Sequence, residues 1–86
     1  MKRVTDQAAA QLSRSRFWSS WLAERLPTAT LARISGIAER EGRLVIFAET
    51  AAWSARLRYA ILELEREIRA ADPALIDVEV RVLPRS

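Results

Sequence analysis

Arg43-Leu44-Val45-Ile46-Phe47-Ala48-Glu49-Thr50-Ala51-Ala52-Trp53-Ser54-Ala55-Arg56-Leu57 is the stretch on which the fold turns, because the hydrophobic period changes within it. Residues 43–49 form a short run that is apolar on both faces, which predicts a central β-strand. From about Ala51 to Ala71 the period lengthens. Trp53, Leu57, Ala60, Ile61, Leu64, Ile68 and Ala71 then fall in one stripe about 100° wide, the core-facing side of a helix. Thr50 is placed to cap that helix, and Asp72-Pro73 ends it, since proline disfavours helix in the residue before it.

Working outward, Ile76-Asp77-Val78-Glu79-Val80-Arg81-Val82 alternates strictly and every apolar residue in it is β-branched. This predicts a strand with one buried and one wet face, stopped by Pro84. On the other side, Glu39-Arg40-Glu41-Gly42 reads as the tight connection of a hairpin, with Gly42 supplying a positive φ. The other arm runs through roughly Ala32 to Ala38. Ile34 and Ile37 break its alternation and predict a bulge near Gly36. The N-terminal third reads as helix from about Asp6 to Arg25, stopped by Pro27, with fraying expected over the first 10 residues or so. Ala8, Leu12, Leu22 and Leu26 make one band of this helix. Phe17 and Trp21 lie on its flank with Arg14 and Arg25, and Trp18 sits between.

The element order is helix, strand, strand, helix, strand, within a single domain spanning residues 1–86. Fewer than a hundred residues leave no room for a second core. A hairpin and a third strand form a small sheet, and two helices with apolar faces cover it, giving a two-layer α+β domain.

Composition narrows the chemistry. The 86 residues contain no Cys and no His, which removes disulfides, thiolate nucleophiles, imidazole bases and ordinary zinc sites. The carboxylates show no catalytic spacing, so no enzyme, metal or cofactor is expected. The formal net charge is +3, with thirteen Arg to one Lys. It is uneven: residues 1–43 carry +4 and residues 44–86 carry −1. That bias permits nucleic-acid binding without demanding it. No apolar run approaches the length of a membrane span and no signal-peptide core follows Met1, so a cytoplasmic protein is expected.

The block Gly42-Arg43-Leu44-Val45-Ile46-Phe47-Ala48-Glu49-Thr50-Ala51-Ala52-Trp53-Ser54-Ala55-Arg56-Leu57-Arg58 resembles the signature of the DciA family of bacterial helicase operators: a Gly-x-Leu strand, a short Ser/Thr/Ala turn, then Trp-x-x-x-Leu opening a helix. Glu63-Leu64 and Val78-Glu79-Val80-Arg81-Val82 fall where that family has its helix body and last strand, so the resemblance spans about residues 17–84. It implies a K-homology-like domain in the cytoplasm, associated with the nucleoid, that engages the replicative DNA helicase and assists its loading on single-stranded or forked DNA. Family members usually continue into a basic, flexible tail, which the sequence to Ser86 does not include. RNA-binding K-homology domains carry a Gly-x-x-Gly phosphate clamp. Here the only glycines are Gly36 and Gly42, so that clamp is not expected.

Candidate surfaces follow. Tyr59, Leu62, Arg66 and Arg69, with Arg58 at the edge, lie opposite the buried stripe of their helix. An aromatic and a leucine among arginines suit a protein groove or stacked bases. Glu63, Glu65 and Glu67 nearby favour a protein partner over DNA. The set Arg14, Phe17, Trp21 and Arg25 suits single-stranded nucleic acid and equally a homodimer seam, with Lys2, Arg3, Arg33, Arg40 and Arg43 adding positive charge for phosphates. The bland alternative buries Trp18 and Trp21 against the sheet while the arginines reach to water. Trp53 reads as core, and Trp53→Ala is expected to cost about 3–5 kcal/mol. The functional expectation is a replication adaptor. The alternatives are a nucleic-acid-binding module without helicase, and a small oligomerising scaffold.

Overall fold

The computed structural model describes residues 2–85, with side chains described from Ser13 onward. The chain forms α1 (Lys2–Ala23), α2 (Thr28–Leu31), β1 (Ile34–Arg40), β2 (Arg43–Ala48), α3 (Ala51–Glu63), α4 (Glu65–Ala71) and β3 (Asp77–Val82). The strands make one sheet in the order β1-β2-β3, with β2 central as its apolar run predicts. β1 pairs with β2 antiparallel, and β2 with β3 parallel. A parallel neighbour requires a crossover, which α3 and α4 provide.

The hairpin turns in the two residues Glu41 and Gly42, at φ 52° and 80°. Two successive positive φ values match the twist of a two-residue hairpin, and only glycine adopts them without strain. Gly42 has a second task. Its carbonyl accepts the Ile76 N–H at 2.7 Å, and a Cβ placed on it would lie 3.1 Å from Ile76 Cγ1. The turn therefore also seats the start of β3. The register of β1 slips between Ile34 and Gly36, which is the predicted bulge.

One face of the sheet carries the core. Leu44, Ile46 and Ala48 of β2 are fully buried there, under Trp18 and Leu22 of α1 and Leu57 of α3. Ile61, Ile68, Leu75 and Val80 complete it on the β3 side. α1 also guards the outer edge of β1, since the Ser15 hydroxyl donates to the Ile37 carbonyl at 3.1 Å. Among the described residues the opposite sheet face has no second layer. Val45 and Phe47 are half-buried on it among Ala38, Arg40, Arg43 and Arg81, so the two-faced apolar pattern of β2 marks one covered and one open side.

Three expectations are corrected. α1 begins at Lys2 rather than Asp6 and stops at Ala23, and a short α2 intervenes after Pro27. The expected fraying, and the side chains of Lys2, Arg3, Ala8 and Leu12, fall outside the described side chains. The single helix over 51–71 is two: Leu64, at φ −94° and ψ 1°, leaves helical geometry, and its N–H is shared between the Ala60 and Ile61 carbonyls. The charges suit a new start, since Glu65 and Glu67 stand in the first turn of α4 and Arg69 in its last, as the helix dipole favours. The alternation of 76–82 also overstates burial. Ile76 precedes the strand and is 70% exposed, while Val78 and Val80 carry the packing.

Candidate partner surfaces

The N-terminal edge is built around one carboxylate. Glu39, on the core side of β1, accepts from Arg14 Nε at 3.0 Å and Nη2 at 2.9 Å, and from Trp18 Nε1 at 2.7 Å. Arg14 Nη2 also donates to Asp72 Oδ2 at 2.6 Å, tying α1, β1 and the end of α4 together. The bonds from Arg14 and then Trp18 hold the Glu39 carboxyl below the usual carboxylate range against the opposing effect of burial. Arg14 is raised above its ordinary value, chiefly by the same bond to Glu39.

The aromatics stack from this anchor. Phe17 and Trp21 each meet the fully buried Trp18 edge-to-face, at centroid distances of 5.0 and 5.5 Å. Arg14 lies 4.9 Å from the Phe17 ring, and Arg25 lies 3.8 Å from the Trp21 ring. Arg25 also donates to the Trp21 carbonyl and lies 3.7 Å from Glu67. Of the expected nucleic-acid edge, then, Arg14 and Arg25 hold intramolecular partners and Trp21 is half-buried. Phe17, at 40% exposure, is the aromatic of the set that is presented. Trp18 is buried as the bland alternative has it, whereas Arg14 and Arg25 meet carboxylates rather than only water.

Arg33, Arg40 and Arg43 do not converge on that edge. Arg33 pairs with Glu49 at 2.8 Å, and Glu49 also takes Arg85 at 3.2 Å. Arg40 and Arg43 oppose each other across the hairpin on the open sheet face. Arg81 lies on the same face beside Phe47, as does Glu79, and those two charges pair at 3.0 Å. The open face thus mixes both signs around a half-buried aromatic.

Of the expected partner surface, Arg58, Tyr59 and Leu62 lie on α3, while Arg66 and Arg69 stand on α4, past the break at Leu64. Tyr59 is 73% and Leu62 65% exposed, one helical turn apart. Arg58 stands beside Leu62, and neither it nor Arg66 of α4 enters an ion pair among the described residues. Arg69 is held elsewhere: its Nε meets Glu65 at 3.2 Å and its Nη1 reaches the Leu75 carbonyl. Beside this helix runs a groove of about 340 Å³, walled by Arg58, Leu62 and Arg69 on one side and by Val78 and Val80 of β3 on the other. Trp53, at the head of α3, is half-buried at the margin of the core, with Arg56 4.9 Å from its ring.

Sequence reasoning missed the Glu39 anchor because Glu39 reads as a turn residue when the hairpin is placed by composition. Its position directly opposite the buried Leu44 was the available signal. Among the described residues no cluster of His, Cys, Asp and Glu is suited to a metal ion. None of the described helices is long and apolar enough to cross a membrane. No protein-family model matches this sequence, and no curated protein is significantly similar to it.

Proposed function

We propose that the chain is a non-enzymatic adaptor of DNA replication, which engages the replicative helicase and assists its loading on single-stranded DNA in the cytoplasm, at the nucleoid. The observation that carries the adaptor reading is the α3 surface. Tyr59 and Leu62 are large and exposed on α3, with Arg58, which enters no ion pair among the described residues, beside Leu62. Such a patch gives a desolvated centre with a charged rim, the anatomy of a protein contact. The helicase as partner is supported by the resemblance of residues 42–58 to the DciA signature. A chain without His or Cys supports a binding role over catalysis.

The test is binding to the replicative helicase of the same organism, by biolayer interferometry at low and moderate salt. The reading expects saturable, salt-tolerant binding that the double variant Tyr59→Ala, Leu62→Ala loses while remaining folded by circular dichroism. Unchanged affinity in that variant would sink the assignment of this surface.

A second reading, a nucleic-acid module without helicase, is favoured by Phe47 among Arg40, Arg43 and Arg81 on the open sheet face. An aromatic flanked by arginines on a sheet can stack a base and hold its phosphates. A salt titration separates the two, because phosphate contacts weaken linearly in log–log form whereas an apolar contact barely responds.

A further inference from the structure

The large apolar side chains left exposed among the described residues are Phe17, Tyr59, Leu62, Ile76, Val82 and Leu83. All but Phe17 lie on α3 or along β3 and its two ends. The two edges of the sheet differ accordingly. β1 is guarded by α1, while β3 borders, among the described residues, the groove beneath Leu62.

The backbone of β3 can be read by parity. Asp77 and Leu83 donate their N–H groups to Gly42 and Ala48 of the β2 side. In a parallel pair, alternate residues turn both backbone groups to the same neighbour. Asp77, Glu79, Arg81 and Leu83 therefore face β2, and Val78, Val80 and Val82 turn theirs to the free edge. The Val78 N–H is taken by Asp77 Oδ1 at 2.9 Å. The outward groups of Val80 and Val82 have no partner among the described residues.

We propose that two copies of the chain associate through this edge, β3 against β3, antiparallel about a two-fold axis at Val80. That axis sets Val80 opposite Val80 of the second copy and Val78 opposite Val82. These are the residues whose backbone groups point outward, so each such pair exchanges both of its hydrogen bonds. The intervening pairs are Glu79 opposite Arg81 and Arg81 opposite Glu79. They fall at the closer, non-hydrogen-bonded positions, where opposite charges stabilise the pairing. Within one chain Glu79 and Arg81 already pair at 3.0 Å on the open sheet face, so the dyad closes a square of alternating charge. A two-fold interface requires one surface to complement itself, and Glu-Val-Arg centred on the axis does so.

The charge order selects a second copy over an unrelated peptide. Val80 is only 8% exposed, so the incoming strand enters where the exposed side chains of Arg58 and Leu62 turn aside, and Asp77 yields the Val78 N–H to the Val82 carbonyl of the second copy. The contact moves an oligomer seam away from Phe17 and Trp21. It stands independently of the helicase reading, since its decisive residues are on β3.

Sedimentation velocity from micromolar to millimolar protein tests it, with circular dichroism confirming that each variant is folded. The expected result is a concentration-dependent dimer. Val82→Pro removes an outward N–H that the monomer's own sheet does not use, and should abolish it. Glu79→Arg or Arg81→Glu sets like charges across the axis on both sides and should weaken association roughly tenfold. The double exchange, E79R with R81E, should restore it, because opposite charges again meet. A wild-type chain that stays monomeric throughout overturns the proposal. So does a dimer that persists in folded Val82→Pro, or a double exchange no tighter than the single variants; a dimer lost instead in Phe17→Ala returns the seam to α1.

Discussion

Removing the Glu39 carboxylate should separate the stability held in the anchor of α1 from that held in the general core. In Glu39→Ala the indole N–H of Trp18, a residue with no exposed surface, loses its acceptor, and Arg14 keeps only Asp72. A buried donor left unsatisfied costs about 1–3 kcal/mol. The ion pair adds less, because Arg14 is 37% exposed on its side chain and solvent screens it, so about 0–1 kcal/mol is assigned. The sum is about 1–4 kcal/mol, at its upper end a large fraction of the roughly 5–15 kcal/mol that holds a small domain together. Thermal unfolding should shift down by roughly 4–30 °C for a chain of this size. Glu39→Gln is the informative companion. Its amide oxygen can still accept from Trp18, so it should lose about 1 kcal/mol. The pH response follows from the depressed carboxyl: its stabilisation is fully present above the ordinary carboxylate pKa and is lost as pH falls through the folded-state value. The wild-type advantage over Glu39→Gln should therefore shrink only in acid. Chemical denaturation followed by circular dichroism measures all three. A Glu39→Ala loss below about 0.5 kcal/mol, within the range of ordinary surface substitutions, would refute the anchor. A Glu39→Gln loss equal to that of Glu39→Ala would move its weight from the Trp18 bond to the charge.

Gly42→Ala should destabilise by about 1–2 kcal/mol, since it places a side chain at φ 80° and a Cβ 3.1 Å from Ile76; no loss in urea midpoint would argue against the shared turn. Trp53→Ala should cost about 2 kcal/mol rather than the full loss of a buried tryptophan, because the ring is half-buried. Tyr59→Ala with Leu62→Ala should leave unfolding within about 0.5 kcal/mol of wild type, as an exposed pair allows.

The parts of the fold that could be read in advance are those where local pattern and tertiary need agree. The hairpin follows from Glu41-Gly42, the central strand from Leu44 to Ala48, and the stripe Leu57, Ile61, Ile68 from burial. The break at Leu64 could not be read, because the apolar spacing continues across it and only the backbone departs. Ile76 misled for a related reason: alternation records which side a residue faces, not whether a helix lies over it. On the surfaces, Tyr59 and Leu62 were legible as residues without a buried neighbour. Arg14, Arg25 and Arg33 were not, because their carboxylate partners are distant in sequence, as Arg14 and Glu39 are 25 residues apart. A side chain shows its charge in the sequence, but its partner is fixed only by the fold.

The hydroxyl of Ser15 on the Ile37 carbonyl has a consequence for aggregation. A sheet with one guarded and one available edge can grow by a single step and then stops, whereas a sheet with two available edges has no end to its growth. Detachment of α1 would uncover the β1 edge together with the core face that Trp18 and Leu22 cover. The first helix is therefore also a terminator. Conditions that melt it before the sheet should convert a finite particle into an open-ended fibre, and the temperature at which turbidity appears should track the docking of α1 rather than the melting of the strands.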